Sequence, residues 1–257
     1  MAVTASERLL ALAGQEPAPC VWLGLPNATI AEIAALAGFR LALIDTEHGT
    51  IGPETLPDIL RALALHGASA LVRIGAIDGG EVKRALDAGA AGILFPQVDS
   101  VAEARAAVSA ATFPPSGRRG SAIRVVRAAG FGAVADYQEA WNDRVLTAVQ
   151  IESRAALANA SEIAAVPGVD MLFFGPFDYA SDMGLDPVAD TDLLESAFAE
   201  IVAAARAHGK IAGVFPWPGA EPTALAAAGA SWIACAGDAR TLADGFAAGV
   251  ARLPGPG

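Results

Sequence analysis

The sequence predicts an α/β fold, a (β/α)8 TIM barrel built as a single domain. Eight short apolar runs recur along the 257 residues, and each run is nearly continuous in hydrophobicity instead of alternating. Continuous runs are expected of parallel strands whose two faces are both covered. One Ala- and Leu-rich helical stretch lies between most of the runs, and eight strand–helix repeats over about 250 residues suit this barrel. A doubly wound open sheet is the structural alternative.

The predicted strands are short runs of β-branched and other apolar residues. In chain order they are CVWLGL (20–25), LALID (41–45), SALVRI (69–74), GILFP (92–96), LTAVQIE (146–152), DMLFFG (170–175), KIAGVF (210–215) and SWIACAGD (231–238). The segments between them begin near helix starters, among them Asn27, Pro53, Ser100 and Asp192, and several segments end in Gly. Such residues favour the first turn and the left-handed stop of a helix.

One long interval, 112–144, lacks the strand–helix pattern and contains PPSGRRG. Because it follows the fourth predicted strand, we expect an elaborated active-site loop there and not a linker. Its adjacent arginines, Arg118 and Arg119, could bind an acidic substrate, but solvation at the surface is the expected state. We expect one domain over 1–257, with an Ala-rich C-terminal helix at about 241–252 as a surface for subunit packing.

Composition and charge exclude several classes of protein. With 54% apolar and 18% charged residues, the chain can bury a large core and is not disordered. A formal charge of −11 leaves no basic face for nucleic acid. The longest uncharged run, 222–237, has 16 residues, short of the roughly 20 that a membrane helix needs. Early charged residues and only two cysteines, Cys20 and Cys235, predict a cytoplasmic protein without a disulfide framework.

Polar side chains cluster at the ends of the predicted strands. In a barrel the loops that follow the strands meet at one face, where the chemistry of the fold takes place. Five separate segments would therefore direct ionisable or amide groups into one depression. These groups are Asp45, His48, Arg73, Gln150, Glu152 and Asp178.

Glu152 and Asp178 are candidate metal ligands. Carboxylates without a neighbouring thiolate or His cluster suit a hard divalent cation, with water and substrate oxygens completing the coordination. The alternative is structural. Glu152 could be an acid at the N-terminus of the following helix, and Asp178 could be a loop cap.

Asp45, His48 and Arg73 also admit two interpretations each. Asp45 lies three residues before His48, so the pair could form a carboxylate–imidazole dyad in which Asp45 fixes the tautomer and His48 moves a proton. The alternative is a polar turn. Arg73 interrupts an apolar strand and must be paired or face a ligand. It could meet a carboxylate or enolate oxygen of substrate, or form a salt bridge to Asp45 or Glu47.

With these residues in view, the sequence resembles the HpcH/HpaI family of metal-dependent aldolases, the class II pyruvate aldolases that act on 4-hydroxy-2-oxo acids. The match runs through nearly the whole chain. The segments that carry it are AGFRLALIDTEHG (37–49), LVRI (71–74), VKRALDAGAAGILFPQVDSVAEA (82–104), FPPSGRRG (113–120), VQIESRAALANASEIAAVPGVD (149–170) and FFGPFDYASDMG (173–184).

The resemblance implies a (β/α)8 barrel, usually a hexamer, in which Glu152 and Asp178 bind a divalent cation: Mg²⁺, Mn²⁺ or Co²⁺. Arg73 would contact the 2-oxo and enolate oxygens. His48, supported by Asp45, would handle protons at the hydroxyl of the acceptor.

The resemblance also assigns residues to substrate and to a subunit interface. Asp87 matches an acid that reaches the active site of a neighbouring subunit. Backbone amides of the Gly-Pro-x-Asp segment would hold the substrate carboxylate, and an aromatic pair after the seventh strand would meet the acceptor aldehyde. The substrate-binding residues would be Gln150, Gly175, Pro176, Phe177, Phe215 and Trp217.

The expected activity is reversible cleavage of a 4-hydroxy-2-oxo acid, through a metal-bound enolate, to pyruvate or hydroxypyruvate and an aldehyde. A Schiff-base mechanism is not expected, because Lys83 falls on a predicted helix and Lys210 begins a strand at the wrong face. Two alternatives remain: a citramalyl- or malyl-CoA lyase of the same superfamily, and a non-catalytic protein that binds oxo acids. The common GPxDLS pattern reads GPFDYA here, with Tyr179 and Ala180, so a hydroxyl is moved or lost just past Asp178.

Overall fold

Eight parallel strands form a closed barrel in which neighbours in sequence are neighbours in space. The computed structural model describes residues 5–14 and 16–252. The strands are β1 (Ala18–Leu23), β2 (Leu41–Asp45), β3 (Ser69–Arg73), β4 (Gly92–Phe95), β5 (Leu146–Ile151), β6 (Met171–Phe174), β7 (Ile211–Val214) and β8 (Trp232–Gly237). Because β8 pairs with β1, the sheet has no edge. The predicted barrel is confirmed and the open sheet is excluded. The predicted domain limits, 1 and 257, lie outside the described residues.

Helices follow the strands on the outside of the barrel. They are α1 (Ala5–Ala13), α2 (Ala28–Leu36), α3 (Leu56–Leu65), α4 (Gly79–Ala88), α5 (Val101–Ala111), α6 (Tyr137–Arg144), α7 (Arg154–Ala158), α8 (Ala160–Ala164), α9 (Pro176–Met183), α10 (Thr191–Ala207), α11 (Pro222–Ala228) and α12 (Asp238–Val250). Asn27 and Ser100 accept hydrogen bonds from first-turn amides as N-caps, as their sequence positions predict. No helix among the residues described is long and apolar enough to cross a membrane.

Two layers of apolar side chains explain why the strand sequences are continuously hydrophobic. Alternate residues point to opposite faces of a strand. Leu41 and Leu43 therefore pack inside the barrel, whereas Ala42 and Ile44 pack against the helices. The inner layer is closed from below by Leu9 of α1, which is fully buried. A core on both faces makes nearly every strand residue apolar until the chain reaches the mouth of the barrel; Ser69 and Thr147 are exceptions.

The interval 112–144 is more ordered and more buried than the sequence indicates. It contains a 3₁₀ helix, Arg127–Gly132, as well as α6. Arg118 is exposed, as expected. For Arg119 the expectation of surface solvation is wrong, because its side chain is fully buried and lies over the rings of Phe113 and Trp141 at 4.5 and 4.3 Å. Aromatic faces attract a guanidinium, which allows this charge to leave water.

The C-terminal helix begins earlier than the predicted range of 241–252 and contacts the barrel at β1 and β8. All residues of α12 after Asp238 are exposed. They include Leu242, Phe246 and Val250, at 37%, 71% and 75% exposure. Residues four apart lie on one face of a helix, so these three form a single apolar stripe.

We expect Gly92→Ala to destabilise the barrel by roughly 1–3 kcal/mol, the usual scale for overpacking a core. A Cβ at Gly92 would overlap the carbonyl oxygen of Leu146 on β5 and lie 2.8 Å from its Cβ. Gly79→Ala is the matched control, because a Cβ at Gly79 meets nothing within 4 Å. Urea unfolding followed by circular dichroism measures both. Equal unfolding midpoints for the two variants would contradict the packing assigned to the β4–β5 pair.

Candidate active site

Two adjoining cavities open at the carboxyl ends of the strands. The larger, of about 600 Å³, is called the aromatic cavity after Trp22, Phe173, Phe177 and Phe215 in its wall. The smaller, of about 310 Å³, is called the acidic cavity because Glu47, Asp99, Glu152 and Asp178 line it. His48 and Asp178 line both. Nine residues that the sequence assigns to the site line the aromatic cavity: Asp45, His48, Arg73, Gln150, Gly175, Pro176, Phe177, Asp178 and Phe215.

Arg73 and Asp45 form the most constrained pair of the site. They are direct partners across β2 and β3. Arg73 donates from Nε to Asp45 Oδ1 at 3.0 Å and from Nη2 to Oδ2 at 2.7 Å. Its Nη1 lies 3.0 Å from Glu47 Oε2, and its guanidinium lies over the Trp22 ring at 4.6 Å. Both salt bridges that the sequence left open are therefore formed, and Arg73 still lines the aromatic cavity.

Asp45 is a poor orienting group for the His48 ring in this structure. Its Oδ1 accepts the backbone N–H groups of Glu47 and His48 at 3.1 and 3.2 Å, and its Oδ2 accepts Trp22 Nε1 at 3.2 Å. Burial alone would raise the pKa of Asp45, but the bonds from Arg73 and Trp22 outweigh burial and lower it. The carboxylate is therefore ionised and shapes the loop backbone.

The imidazole of His48 lies instead beside Glu47. The distance from His48 Nε2 to Glu47 Oε2 is 3.8 Å, and the His48 side chain is 69% exposed. The prediction that Asp45 orients the His48 ring is therefore wrong. The Asp45 oxygens already accept hydrogen bonds from Arg73, Trp22 and two backbone amides. Burial, opposed by Arg73, raises the pKa of Glu47.

Glu152 is held between neighbours on three segments. Its Oε1 accepts the backbone N–H of Gln97 at 2.7 Å, and its Oε2 accepts Gln150 Nε2. Burial raises the pKa of Glu152 to about 7; the Gln97 amide opposes this, and the charges of Asp178 and Glu47 add to it. The next helix, α7, is capped by the hydroxyl of Ser153, so Glu152 is not its cap.

Asp178 is not the cap that the sequence offered as its structural alternative, because Gly175 is the N-cap of α9. It lies in the first turn of α9, where the helix dipole favours an acid. Its side chain also lines both cavities. The charge of Asp178 raises the pKa of Glu152, as expected of like charges on two side chains that line one cavity.

The donor set fits a hard divalent cation. Two mutually repelling carboxylates face one cavity, and a cation between them would remove the repulsion. The buried Gln150 Oε1 beside them has no partner within the described chain, and such an atom requires a ligand or a water. No group of three His, Cys, Asp or Glu converges on a metal position in 5–14 or 16–252. A cation held by Glu152 and Asp178 would therefore take further ligands from water and substrate.

Gly175 allows these groups to come together. A Cβ at this position would lie 2.6 Å from Gln150 Nε2 and 2.9 Å from Glu152 Oε2. Only glycine leaves both side chains where they are. The Gly-Pro step therefore matters to the site in two ways: it makes room for the Gln150–Glu152 pair, and it begins α9 at Pro176.

Aromatic rings form part of the wall of the aromatic cavity. Phe215 lies edge-on to Trp22 at 5.0 Å and to Phe177 at 6.0 Å. The assignment of Trp217 to this wall is wrong. Its ring packs against Phe174 and Phe198 at 5.9 and 6.3 Å, behind the sheet. Strand β7 ends at Val214, and two prolines then turn the chain, so the strand alternation that would align Trp217 with Phe215 no longer applies.

Asp87 lies outside both cavities of its own chain. It is near the end of α4 and accepts a 2.7 Å hydrogen bond from the buried Arg119. The expected contact of Asp87 with a neighbouring subunit stays a prediction. The lysines lie where the sequence places them: Lys83 on α4 and Lys210 just before β7, away from either cavity.

Trp22, Gln97, Asp238 and Arg240 are among the residues of the site that were not singled out from the sequence. Trp22 supports Arg73, and Gln97 supplies an amide to Glu152 from a left-handed backbone conformation with φ 52°. Asp238 and Arg240 line the aromatic cavity at the start of α12. The sequence offered a signal only for Asp238, a charge at the end of the eighth apolar run.

Asp238 ties α12 to the first strand loop, and we expect Asp238→Ala to destabilise the protein by roughly 1–3 kcal/mol. Its carboxylate accepts the backbone N–H groups of Gly24 at 3.0 Å and Leu25 at 2.9 Å, which would lose their acceptor. Asp244→Ala is the control, since that exposed acid only pairs with Arg240 on the same helix. Urea midpoints give the comparison, and an equal shift in both variants would contradict the role given to Asp238.

Comparisons with known proteins agree with this geometry. A model of the HpcH/HpaI aldolase/citrate lyase family matches residues 19–244. The chain is 40% identical over 239 residues to the hydroxypyruvate/pyruvate aldolase of Agrobacterium fabrum, covering 91% of this chain and 88% of that one. It is 36% identical to the 4-hydroxy-2-oxo-heptane-1,7-dioate aldolase of Salmonella arizonae, over 95% and 92% of the two chains. A solved structure from Burkholderia cenocepacia, described as an HpcH/HpaI aldolase/citrate lyase family protein, has a TM-score of 0.86 and 35% identity over 97% of this chain and 99% of that one.

Proposed function

The chain belongs to the HpcH/HpaI aldolase/citrate lyase family, and we propose that it is a divalent-metal-dependent aldolase that cleaves a 4-hydroxy-2-oxo acid reversibly to pyruvate, or hydroxypyruvate, and an aldehyde. One observation supports this most directly. A repelling carboxylate pair, a fixed guanidinium and an exposed imidazole meet where the acidic and aromatic cavities join. Binding an oxo acid alone does not need an exposed imidazole at that junction.

Glu152 and Asp178 would hold the cation, Mg²⁺, Mn²⁺ or Co²⁺. When bound, it supplies Lewis acidity toward the carboxylate and 2-oxo oxygens of the oxo acid. Gln150 would help to hold the oxo acid by donating from its Nε2, because the carboxylate and 2-oxo oxygens of the oxo acid are acceptors. The first turn of α9, with Phe177 in it, presents backbone N–H groups that have no acceptor within the helix, and these suit the substrate carboxylate.

Arg73 would stabilise the negative charge that develops on the 2-oxo oxygen. Its guanidinium is buried and held by Asp45 and Glu47, so it is oriented before the reaction begins. Such preorganised donors contribute strongly to catalysis because they need no rearrangement as charge develops.

His48 would serve the acceptor half of the reaction. Its exposed ring lies at the junction of the cavities and can take the C4 hydroxyl proton, through a water, while the C3–C4 bond breaks. Glu47, 3.8 Å away, is the acid placed to support the protonated ring in this structure. Phe215 and its aromatic neighbours would hold the aldehyde.

We expect chelation to abolish cleavage, and Mg²⁺, Mn²⁺ or Co²⁺ to restore it, because the proposed ligands are hard carboxylate oxygens. Glu152→Gln and Asp178→Asn should bind metal at least tenfold more weakly while remaining folded. Titration calorimetry with Mn²⁺ and a coupled assay of pyruvate release measure the two effects. The control is Asp182→Asn, because that acid is on the same helix but outside both cavities. Full activity after exhaustive metal removal would overturn the assignment.

Replacement of Arg73 by Lys should reduce kcat/KM by roughly 10²-fold or more, the scale for loss of one preorganised oxyanion donor. A lysine keeps the charge but cannot bind Asp45, Glu47 and a substrate oxygen through one planar group. Arg61→Lys is the control, since Arg61 pairs with Asp58 on the surface of α3. If the Arg73→Lys enzyme had near-wild-type rates, Arg73 would be structural.

We also propose a closed homo-oligomer, a hexamer, in which the apolar stripe of α12 packs on a neighbour and Asp87 acts across an interface. The stripe supports this because Leu242, Phe246 and Val250 are exposed side chains of one helix face. Phe246→Asp should lower the mass found by light scattering. A wild-type enzyme that is monomeric and fully active at nanomolar concentration would refute the shared site.

The two free cysteines suit the proposed cytoplasmic location.

A further inference from the structure

We infer that Asp99 is a positioning residue for Glu152, the proposed metal ligand, and that it raises the affinity of the site for a divalent cation. The inference rests on the proposed metal-dependent function and adds a residue to it. Asp99 lies between β4 and α5 and lines the acidic cavity, and no step of the proposed mechanism uses it.

The Glu152 carboxylate depends on the loop that follows β4. Gln97 in that loop donates its backbone N–H to Glu152 Oε1 at 2.7 Å. Gln97 has a left-handed backbone conformation with φ 52°. A residue other than glycine keeps such a conformation only where its surroundings fix it. The position of the Glu152 carboxylate therefore depends on the contacts that fix this loop.

Asp99, two residues after Gln97, supplies those contacts. Its backbone N–H donates to Glu103 Oε2 at 2.9 Å, and its backbone carbonyl accepts Asn159 Nδ2 at 2.7 Å. Its Oδ1 accepts the hydroxyl of Ser153 at 2.5 Å. Ser153 and Asn159 flank α7, and Glu103 lies in the first turn of α5. Three atoms of one residue thus tie the loop after β4 to α5 and to both ends of α7.

Ser153 joins Asp99 to Glu152 by a second route. It directly follows Glu152 in the chain, and its hydroxyl donates to Asp99 while it accepts the N–H of Ala156 at 2.9 Å as the N-cap of α7. The backbone next to Glu152 is therefore held from two sides. A ligand that is held in place before the cation arrives loses less freedom on binding, and residues that support metal ligands usually change metal affinity 10- to 100-fold.

Asp99 also adds a negative charge to the acidic cavity, and charge alone would attract a cation. Substitutions separate this effect from positioning. Ser153→Ala breaks the hydrogen bond but leaves every charge of the cavity in place. Asp99→Asn removes the charge but keeps a side-chain oxygen that can accept from Ser153.

The test measures Mn²⁺ dissociation constants by titration calorimetry on the full-length protein after chelation. We expect Ser153→Ala to weaken Mn²⁺ binding roughly tenfold, and Ser153→Thr to keep the wild-type affinity because it retains the hydroxyl. Asp99→Ala should weaken binding at least as much as Ser153→Ala, and Asp99→Asn should weaken it less. Adding Ser153→Ala to Asp99→Ala should have little further effect, because the two residues act through one hydrogen bond.

Asn27→Ala is the matched control for the lost helix cap. Asn27 caps α2 as Ser153 caps α7, but it lines neither cavity. Its replacement should leave the Mn²⁺ dissociation constant unchanged.

The inference and the proposed function fail in different ways. If the wild type binds Mn²⁺ and Ser153→Ala binds it equally tightly, Asp99 supplies only charge; the inference is then wrong and the aldolase stands. Equal weakening in Asn27→Ala would also overturn the inference, because loss of a cap would explain both results. A wild type that neither binds Mn²⁺ nor needs a divalent cation for cleavage would contradict the proposed metal dependence, and the inference would fail with it.

Discussion

The ion pair between Arg73 and Asp45 is the interaction on which the rest of the site depends. The two residues face each other across β2 and β3, so the register of the barrel itself brings them together. A slip of one residue would turn one of them to the opposite face of the sheet. With the pair formed, Asp45 holds the backbone of the loop that carries Glu47 and His48, and Arg73 is fixed toward the cavity. This salt bridge therefore links the strand register of the barrel to the positions of the groups proposed for catalysis.

Glu152 and Asp178, on the acidic side of the mouth, are in the opposite electrostatic situation to Asp45, because they lack a cationic partner of that kind among the described residues. Arg73 satisfies Asp45 and lowers its pKa, whereas Glu152 is buried beside other acids and its pKa rises to about 7. Glycine at 175 permits this crowding. Perturbed carboxylates in a cleft are typical of functional sites, because burying like charges without a counterion opposes folding and is retained where a ligand offsets it. The closed barrel supplies the rigid frame that keeps such groups in place.

Much of this could be predicted from the sequence, because parallel strands buried on both faces give continuous apolar runs and a barrel gathers polar groups at the strand ends. Every predicted strand lies within two residues of its observed bounds. The predictions that were wrong concerned side chains whose positions depend on local geometry. Trp217 turns behind the sheet after β7 ends, Arg119 is buried by aromatic rings from other segments, and Asp45 binds Arg73 and backbone amides and not the His48 ring.

The central claim is that this mouth stabilises the enolate of a bound oxo acid, and in the addition direction that enolate forms by loss of a proton from C3. Proton NMR of pyruvate in heavy water, with the wild-type enzyme and Mg²⁺, tests this without any choice of aldehyde. We expect the methyl signal to be lost by exchange at a rate proportional to enzyme concentration, and chelation to stop the loss. Pyruvate that binds in the presence of Mg²⁺ but keeps its methyl protons would contradict the account and would identify a non-catalytic oxo-acid binding protein.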